Sequence, residues 1–485
     1  MIDSAKDKSL YNVIVTGREE EKILLNDLLA SPQSEFIAMV GRRRVGKTFL
    51  IKNHYHQFDF ECTALHNGNL SEQLENFCFK LTQYGGAKFC KTAPTNWLQA
   101  FQQLQLFLKS KKSNRKKIVF IDELPWMDTA KAKFTDALAH FWNDFAVHSN
   151  VLLVICGSAA SWILKKIVHN KGGLHNRITQ LITLQPFTLK EAEQFLKSKK
   201  INYDRYDIAL IYMVMGGIPF YLNELKKGFS AVQNLDKLCF AKHSLLKDEF
   251  SKLFSSLFAN AANHIIVVKA LATKRKGLTR NQLLEITKLS DGGSISRLLE
   301  ELQSASFIQT ILPFGKTKKE TLYRLSDAYT LFYLLFIEKH KKSSRSVLQS
   351  LYPTSVWKAW SGYAFENVCL LHIKKVLQKL GVASIYTEVS GYISKGDADQ
   401  DGIQIDLLID RADRVINLCE IKFYDAPFTL TKEYAAKLRF RVAQFRTLTA
   451  TRKNLFLTMI TPFGLTGNRH SSGLIQNEIT LDDLF

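Results

Sequence analysis

The sequence predicts an α/β fold built on a parallel sheet. Three observations carry that expectation. An apolar run, Phe36-Ile37-Ala38-Met39-Val40, leads into Gly41-Arg42-Arg43-Arg44-Val45-Gly46-Lys47-Thr48 and then Phe49-Leu50-Ile51-Lys52. A second, Ile118-Val119-Phe120-Ile121, ends in Asp122-Glu123, and a third, Val151-Leu152-Leu153-Val154-Ile155, ends in Cys156-Gly157-Ser158. Runs of this kind are strands buried on both faces. Ligands of such sheets lie outside the carboxyl ends of the strands, where all three polar termini fall.

The pattern G-x-x-x-x-G-K-T has meaning only between a strand and a helix, and both flanks are present. Gly41 and Gly46 let the backbone turn so that successive N–H groups face an anion. The following helix offers its positive end to the same charge. Lys47 reaches the β/γ-phosphates, and the Thr48 hydroxyl takes a Mg²⁺ position. Arg42, Arg43 and Arg44 supply either extra phosphate contact or a basic surface. Asp122 is expected to hold Mg²⁺ beside Thr48, and Glu123 to polarise the attacking water. Ser158 orients that water or contacts the γ-phosphate, or else caps the helix from Ala159 onward.

A chain of 485 residues suggests about three domains. Its 46% hydrophobic content is that of a globular protein. No apolar run approaches membrane-spanning length, and Met1-Ile2-Asp3-Ser4-Ala5-Lys6 lacks a secretory h-region. Seven scattered cysteines without a C-x-x-C pair argue for a reducing cytoplasm, and against a disulfide frame or zinc site. The net charge of +21 points to a polyanion partner, most simply nucleic acid, although ATP binding and plain solubility account for part of it.

Ahead of the phosphate loop, Val13-Ile14-Val15-Thr16-Gly17-Arg18-Glu19-Glu20-Glu21 runs into a helical pattern (Ile23, Leu24, Leu25, Leu28, Leu29). Arg18 and Glu19 either collar the nucleotide base or open a surface helix whose acidic first turn suits its dipole. Gly172-Gly173-Leu174-His175-Asn176-Arg177-Ile178 precedes Leu184-Gln185-Pro186-Phe187. Arg177 is either a surface arginine or one that faces a γ-phosphate across a subunit or domain boundary, the subunit case implying a homo-oligomer. From Thr188 to Leu225 the pattern is amphipathic and helical, a small lid.

The segments G-R-E-x-E, GRRRVGKT, IVFIDE and VICGS, with Met215-Gly216-Gly217-Ile218-Pro219-Phe220-Tyr221-Leu222, resemble the archaeal-type ATPase family. These are AAA+-related P-loop ATPases of the STAND kind, and the likeness covers about half the chain. The resemblance implies an AAA+-like parallel sheet with a helical lid, ATP as ligand and ATP hydrolysis as activity. It places Arg18 and Glu19 in the base-side motif, Asp122 and Glu123 in the Walker B pair, Ser158 at sensor 1 and Pro219 in a lid motif near the nucleotide.

Residues 264–325 resemble a winged helix-turn-helix. Helical patterns at Ile265-Leu271, after Thr279, and from Ser294 to Leu302 precede two β-like runs flanking a basic turn with Lys316, Lys318 and Lys319. Such a module either reads DNA, with Ser294, Ser296 and Arg297 in the major groove, or docks a protein. Glu300 and Glu301 on the same helix repel phosphate. The polar stretch Glu338-Lys339-His340-Lys341-Lys342-Ser343-Ser344-Arg345 then marks a domain boundary.

Beyond it a helix from Trp360 through Val376 precedes two strands, 402–410 and 415–423. Strand alternation puts Glu420 and Lys422 on one face, opposite Asp406. Two carboxylates and a lysine suit Mg²⁺ and a phosphodiester, although E-x-K is also an ordinary surface pair. The arrangement resembles the PD-(D/E)xK nuclease fold, a restriction-endonuclease-like α/β domain. By that likeness Glu366, Asp406, Glu420 and Lys422 form the core set, and Gln444 is the polar residue of the next helix. Asp406 lacks the usual preceding proline. The expected domains are therefore a P-loop core (1–186), a lid (187–250), a winged helix (251–338) and a nuclease-like domain (339–485). The function expected is an ATP-driven switch with a DNA-directed effector; a metal-dependent endonuclease with regulatory ATPase, and an ATP-gated DNA-binding scaffold, are its rivals.

Overall fold

Apolar strand runs bounded by turn residues set the first half of the chain. The structure, a computed structural model, describes residues 15–258, 260–274, 276–341, 347–352, 354–394 and 402–485. Val13 and Ile14, and the boundary stretch from Lys342 to Arg345, lie outside the described residues. The chain divides into two compact units after Pro186.

In the first unit, α1 (Glu19–Ala30) precedes β1 (Glu35–Val40) and α2 (Lys47–Tyr55). There follow β2 (Phe60–Thr63), α3 (Leu70–Gly85), α4 (Trp97–Ser110), β3 (Lys117–Asp122), α5 (Phe134–Asp144), β4 (Val151–Cys156), the short α6 (Ala160–Ile163) and β5 (Gln180–Thr183). The strands pair in parallel in the order β2-β3-β4-β1-β5. All six residues of β4 are buried, as a central strand covered on both faces requires. β4 stands between the strand that feeds the phosphate loop and the strand that ends in Asp122. Because all run the same way, their carboxyl ends open on one crevice. Aromatic packing fills one face: Phe36, Phe60, Phe77, Trp97, Phe101, Phe134 and Trp142 are almost fully buried together.

Cys78 and Cys90 are joined, although the scattered cysteines argue against a disulfide frame. The chain turns back after Gly85 through a single 3₁₀ turn (Ala87–Phe89), which sets Cys90 beside the last turns of α3. That reversal depends on tertiary folding and leaves no spacing motif. Cys62, Cys156, Cys239, Cys369 and Cys419 are free and buried.

The second unit begins with α7 (Leu189–Ser198), α8 (Arg205–Met215), α9 (Pro219–Asn223), α10 (Ala231–Phe240) and α11 (Leu245–Leu257). Gly216 and Gly217 both take left-handed backbone angles, φ 71° and 65°. A Cβ on Gly217 would meet the Phe187 carbonyl oxygen at 2.3 Å. The Gly-Gly-Ile-Pro segment therefore stops α8, turns, and starts α9 with its proline at the first helical position. Next come α12 (Ala261–Ala272), β6 (Leu278–Thr279), α13 (Arg280–Thr287), α14 (Gly293–Ser304), β7 (Ile308–Ile311) and β8 (Leu322–Leu325). β8 lies between β6 and β7, antiparallel to both, so three helices are followed by a small β-hairpin.

The remainder comprises α15 (Ala328–Phe332), α16 (Leu348–Leu351), α17 (Ser355–Leu371), α18 (Ile373–Lys379), β9 (Thr387–Ile393), β10 (Gln404–Arg411), β11 (Val415–Ile421), β12 (Phe428–Thr429), α19 (Lys432–Thr449), β13 (Asn454–Thr461), β14 (Leu465–Thr466) and β15 (Asn477–Thr480). The five-stranded sheet β15-β13-β11-β10-β9 is antiparallel on one side and parallel on the other. The helix expected to run from Trp360 through Val376 instead breaks at His372. There the ring Nε2 accepts the Leu189 N–H at 2.9 Å, while Nδ1 lies 2.8 Å from the Val368 carbonyl.

Candidate functional site

Gly41 opens the loop at φ 147°, and a Cβ there would meet the Leu184 carbonyl oxygen at 2.4 Å. Only glycine lets the backbone pass so close to the segment leaving β5. Gly46 caps α2 at φ 93°, turning the chain into the helix. The Lys47 ammonium folds back on its own loop, donating to the carbonyls of Gly41 at 2.8 Å and Arg42 at 3.2 Å. Burial pushes its pKa below the ordinary range, and the neighbouring Glu123 and Asp122 carboxylates oppose that. Arg42 is buried, and Arg43 and Arg44 are half-buried. Arg18 is buried too, and its guanidinium donates to the Val45 carbonyl at 3.3 Å. Glu19, by contrast, is exposed and pairs with Lys22 at 2.8 Å.

The acidic pair sits one strand across. The Thr48 hydroxyl donates to Asp122 Oδ2 at 2.8 Å, joining the end of the loop to the end of β3. Asp122 Oδ1 accepts the Glu123 N–H at 2.9 Å and lies against the Cys156 thiol. Glu123 takes a left-handed backbone, φ 49°, and its side chain reaches the segment leaving β4. Its Oε2 accepts both the Ser158 hydroxyl at 2.9 Å and the Ser158 N–H at 3.0 Å. Ser158 is not the helix cap: α6 is preceded by Ala159, and no side chain caps it. Arg18 and Arg44, like Glu123, take left-handed backbone angles. Hydroxyl and carboxylate oxygens are the hard donors Mg²⁺ takes beside phosphates, so Thr48 and Asp122 fit that ion. Arg177 stands apart, exposed in the turn before β5. Pro219 begins α9 in the second unit.

In the second unit Glu366, Asp406 and Lys422 line one cavity of about 780 Å³. α17 supplies Glu366, β10 supplies Asp406 and β11 supplies Glu420. The β10–β11 register pairs Leu407 with Cys419, so its continuation sets Asp406 against Glu420. Burial pushes the Glu366 and Asp406 carboxyls above their usual range, each helped by a neighbouring carboxylate. Every acid also has a partner. Glu366 accepts from Arg324 at 3.1 Å, and Asp406 accepts from Gln404 at 3.0 Å. Glu420 takes Lys422 at 2.8 Å and the Tyr434 hydroxyl on one oxygen, and Arg441 at 2.6 Å on the other. Burial lowers the Lys422 pKa, but Glu420 and Tyr434 outweigh it and hold the ammonium above its ordinary range. Carboxylates are the right donors for a divalent ion, but as folded they face cations. Among the described residues no group of three or more acidic, His or Cys side chains is arranged to hold a metal. The cluster as it stands does not fit one.

Sequence reasoning missed Arg324, Tyr434 and Arg441. Tyr434, Leu438 and Arg441 recur on one face of α19 at helical spacing, a signal available in the sequence. Gln444, singled out instead, has its carbonyl oxygen buried and without a hydrogen bond. The turn between β7 and β8 is also engaged: the Phe314 N–H donates to Gly391 on β9 at 2.9 Å, and its ring packs on Phe445. Lys316, Lys318 and Lys319 remain exposed, as do Ser294, Ser296 and Arg297 on α14.

Residues 16–225 match the model of an ATPase domain found predominantly in Archaea. An uncharacterized protein of Methanocaldococcus jannaschii is 25% identical over 358 residues, 72% of this chain and 75% of its own. The Walker-type ATPase of Pyrococcus abyssi superposes with TM-score 0.51 at 16% identity, over 66% of this chain and 96% of that one. The ORC2 protein of Aeropyrum pernix, solved in ADPNP–ADP complexes, gives TM-score 0.39 at 16% identity, over 72% and 98%. The Pyrococcus abyssi likeness, at 16% identity, bears on the fold alone; with the match over residues 16–225 it supports an archaeal-type ATPase domain built on a parallel sheet.

Proposed function

We propose that this protein hydrolyses ATP and uses the nucleotide state to control its second unit. One observation carries the reading: the 2.8 Å hydrogen bond between Thr48 and Asp122, in a crevice that also holds Lys47 and a Glu123 fixed by Ser158. The loop N–H groups and Lys47 would bind the phosphates, and the Thr48 and Asp122 oxygens would hold Mg²⁺. When bound, that ion neutralises charge on the phosphates. Glu123 would orient and deprotonate the attacking water, with Ser158 fixing the carboxylate. Arg18 would brace the loop through Val45. Arg177, exposed before β5, would act on the nucleotide of a neighbouring copy in a homo-oligomer. The helices from Leu189, with Pro219 in their Gly-Gly-Ile-Pro turn, would form the lid.

For the rest of the chain we propose a winged helix and a nuclease-like effector acting on DNA in the cytoplasm. Support comes from three helices followed by a β-hairpin, from the α17, β9-β10-β11, α19, β13 order, and from the net charge of +21. Protein docking through the winged helix is favoured by the Phe314 contact, and DNA by the exposed lysines. No cleavage step is assigned to Glu366, Asp406, Glu420 and Lys422, because Glu366 is paired with Arg324 and Glu420 with Lys422 and Arg441. The test is Lys47→Ala in the full chain, with ATP binding and phosphate release both measured. Loss of binding or turnover is expected; unchanged turnover would sink the mechanism.

A further inference from the structure

Arg324 is an unusual residue for the place it occupies. It lies on β8, the hairpin strand of the three-helix segment, yet it is only 5% exposed. Its Nη2 donates to Glu366 Oε2 at 3.1 Å and its Nε to the Tyr363 hydroxyl at 3.0 Å. The guanidinium also lies over the Tyr363 ring, 4.2 Å from its centre. Tyr363 in turn donates to the Leu325 carbonyl at 3.1 Å, so β8 and α17 are tied at adjacent residues. Arg324 lines the same cavity as Glu366, Asp406 and Lys422.

A buried guanidinium is always charged and cannot leave its carboxylate without cost. Glu366, Asp406 and Glu420 bring three carboxylates, and Arg324, Lys422 and Arg441 bring three cations. Two of those cations belong to the carboxylates' own sheet and its helix. Arg324 alone comes from the winged segment. A divalent ion entering this cluster would meet like charge and find Glu366 engaged.

We propose that Arg324 is an intramolecular counter-ion that holds the carboxylate cluster closed to divalent metal, and that withdrawing the winged segment opens it. This regulation rests on the nuclease-like reading given above. The Phe314 bond to Gly391 anchors the other end of the same hairpin to β9. Displacing the hairpin, by the lid or by a bound partner, would thus remove the arginine and release the wing together. The disagreement between an expected metal site and a cation-filled cluster then becomes a statement about which state this structure represents.

The test uses Mn²⁺ alone, titrated into the full-length protein without nucleotide and followed by the electron paramagnetic resonance of free Mn²⁺. Arg324→Gln should bind Mn²⁺ at least about tenfold more tightly than the wild type, because it removes a like charge from a buried site. Adding Asp406→Ala should abolish the gain, and Arg324→Lys, which keeps the charge, should show little of it. If Arg324→Gln does not fold, Tyr363→Phe removes one anchor without a cavity and should give a smaller gain of the same sign. Equal affinity in wild type and variant overturns the counter-ion role while leaving a metal site standing. No Mn²⁺ bound by either removes the metal site as well.

Discussion

Ser158 offers the sharpest dissection of the nucleotide crevice. Its hydroxyl and its backbone N–H both bond Glu123 Oε2, at 2.9 and 3.0 Å. Replacing it with alanine removes one of these two bonds and keeps the other. A hydrogen bond to a charged group is worth about 1.5–3 kcal/mol, and the surviving N–H holds part of the orientation. A loss near the low end is expected, about tenfold in turnover, since each ~1.4 kcal/mol is a factor of ten. The informative background is Glu123→Ala, in which turnover falls by about 10²–10⁴ as for loss of a general base. If Ser158 acts only through Glu123, then Ser158→Ala has almost no further effect there. Phosphate release by the four proteins, wild type, two single variants and the double, completes the cycle. Fully additive losses would refute the reasoning and place Ser158 on the γ-phosphate instead.

The same geometry sets two further outcomes. Thr48→Val removes the hydroxyl that meets Asp122, so the Mg²⁺ concentration needed for half-maximal turnover should rise by about tenfold or more. A Mg²⁺ titration of steady-state rates reads this directly. Gly41→Ala forces a Cβ to within 2.4 Å of the Leu184 carbonyl, at a backbone angle alanine avoids. Strain of that kind costs about 1–3 kcal/mol, so urea unfolding of the first unit should shift to lower midpoint with little change in slope.

Local signals made the first unit legible. A phosphate loop is eight consecutive residues, and the Asp122-Glu123 pair ends a run of apolar residues, so strand, loop and carboxylates could be placed without tertiary knowledge. What the sequence did not show is the strand order, which puts β4 next to β3 and so brings Ser158, just past the end of β4, to Glu123 at the end of β3. The Cys78–Cys90 pairing escaped for a similar reason: it depends on one 3₁₀ reversal after α3. In the second unit, Glu366, Asp406, Glu420 and Lys422 were legible as types on predicted elements. Their partners were not. Arg324 lies 42 positions from Glu366 and reads locally as an ordinary residue of a β-hairpin. Its burial and its charge only acquire meaning once β8 is laid beside α17.

The central claim is that Glu123 performs chemistry on a nucleotide bound by other residues. Glu123→Gln keeps the side-chain size and leaves Lys47, Thr48 and Asp122 in place, so binding and turnover should separate. The decisive measurement is single-turnover ATP hydrolysis by this variant alongside its equilibrium ATP affinity. The account predicts affinity within about threefold of wild type and hydrolysis slower by about a hundredfold or more. Hydrolysis at the wild-type rate with ATP bound would contradict it.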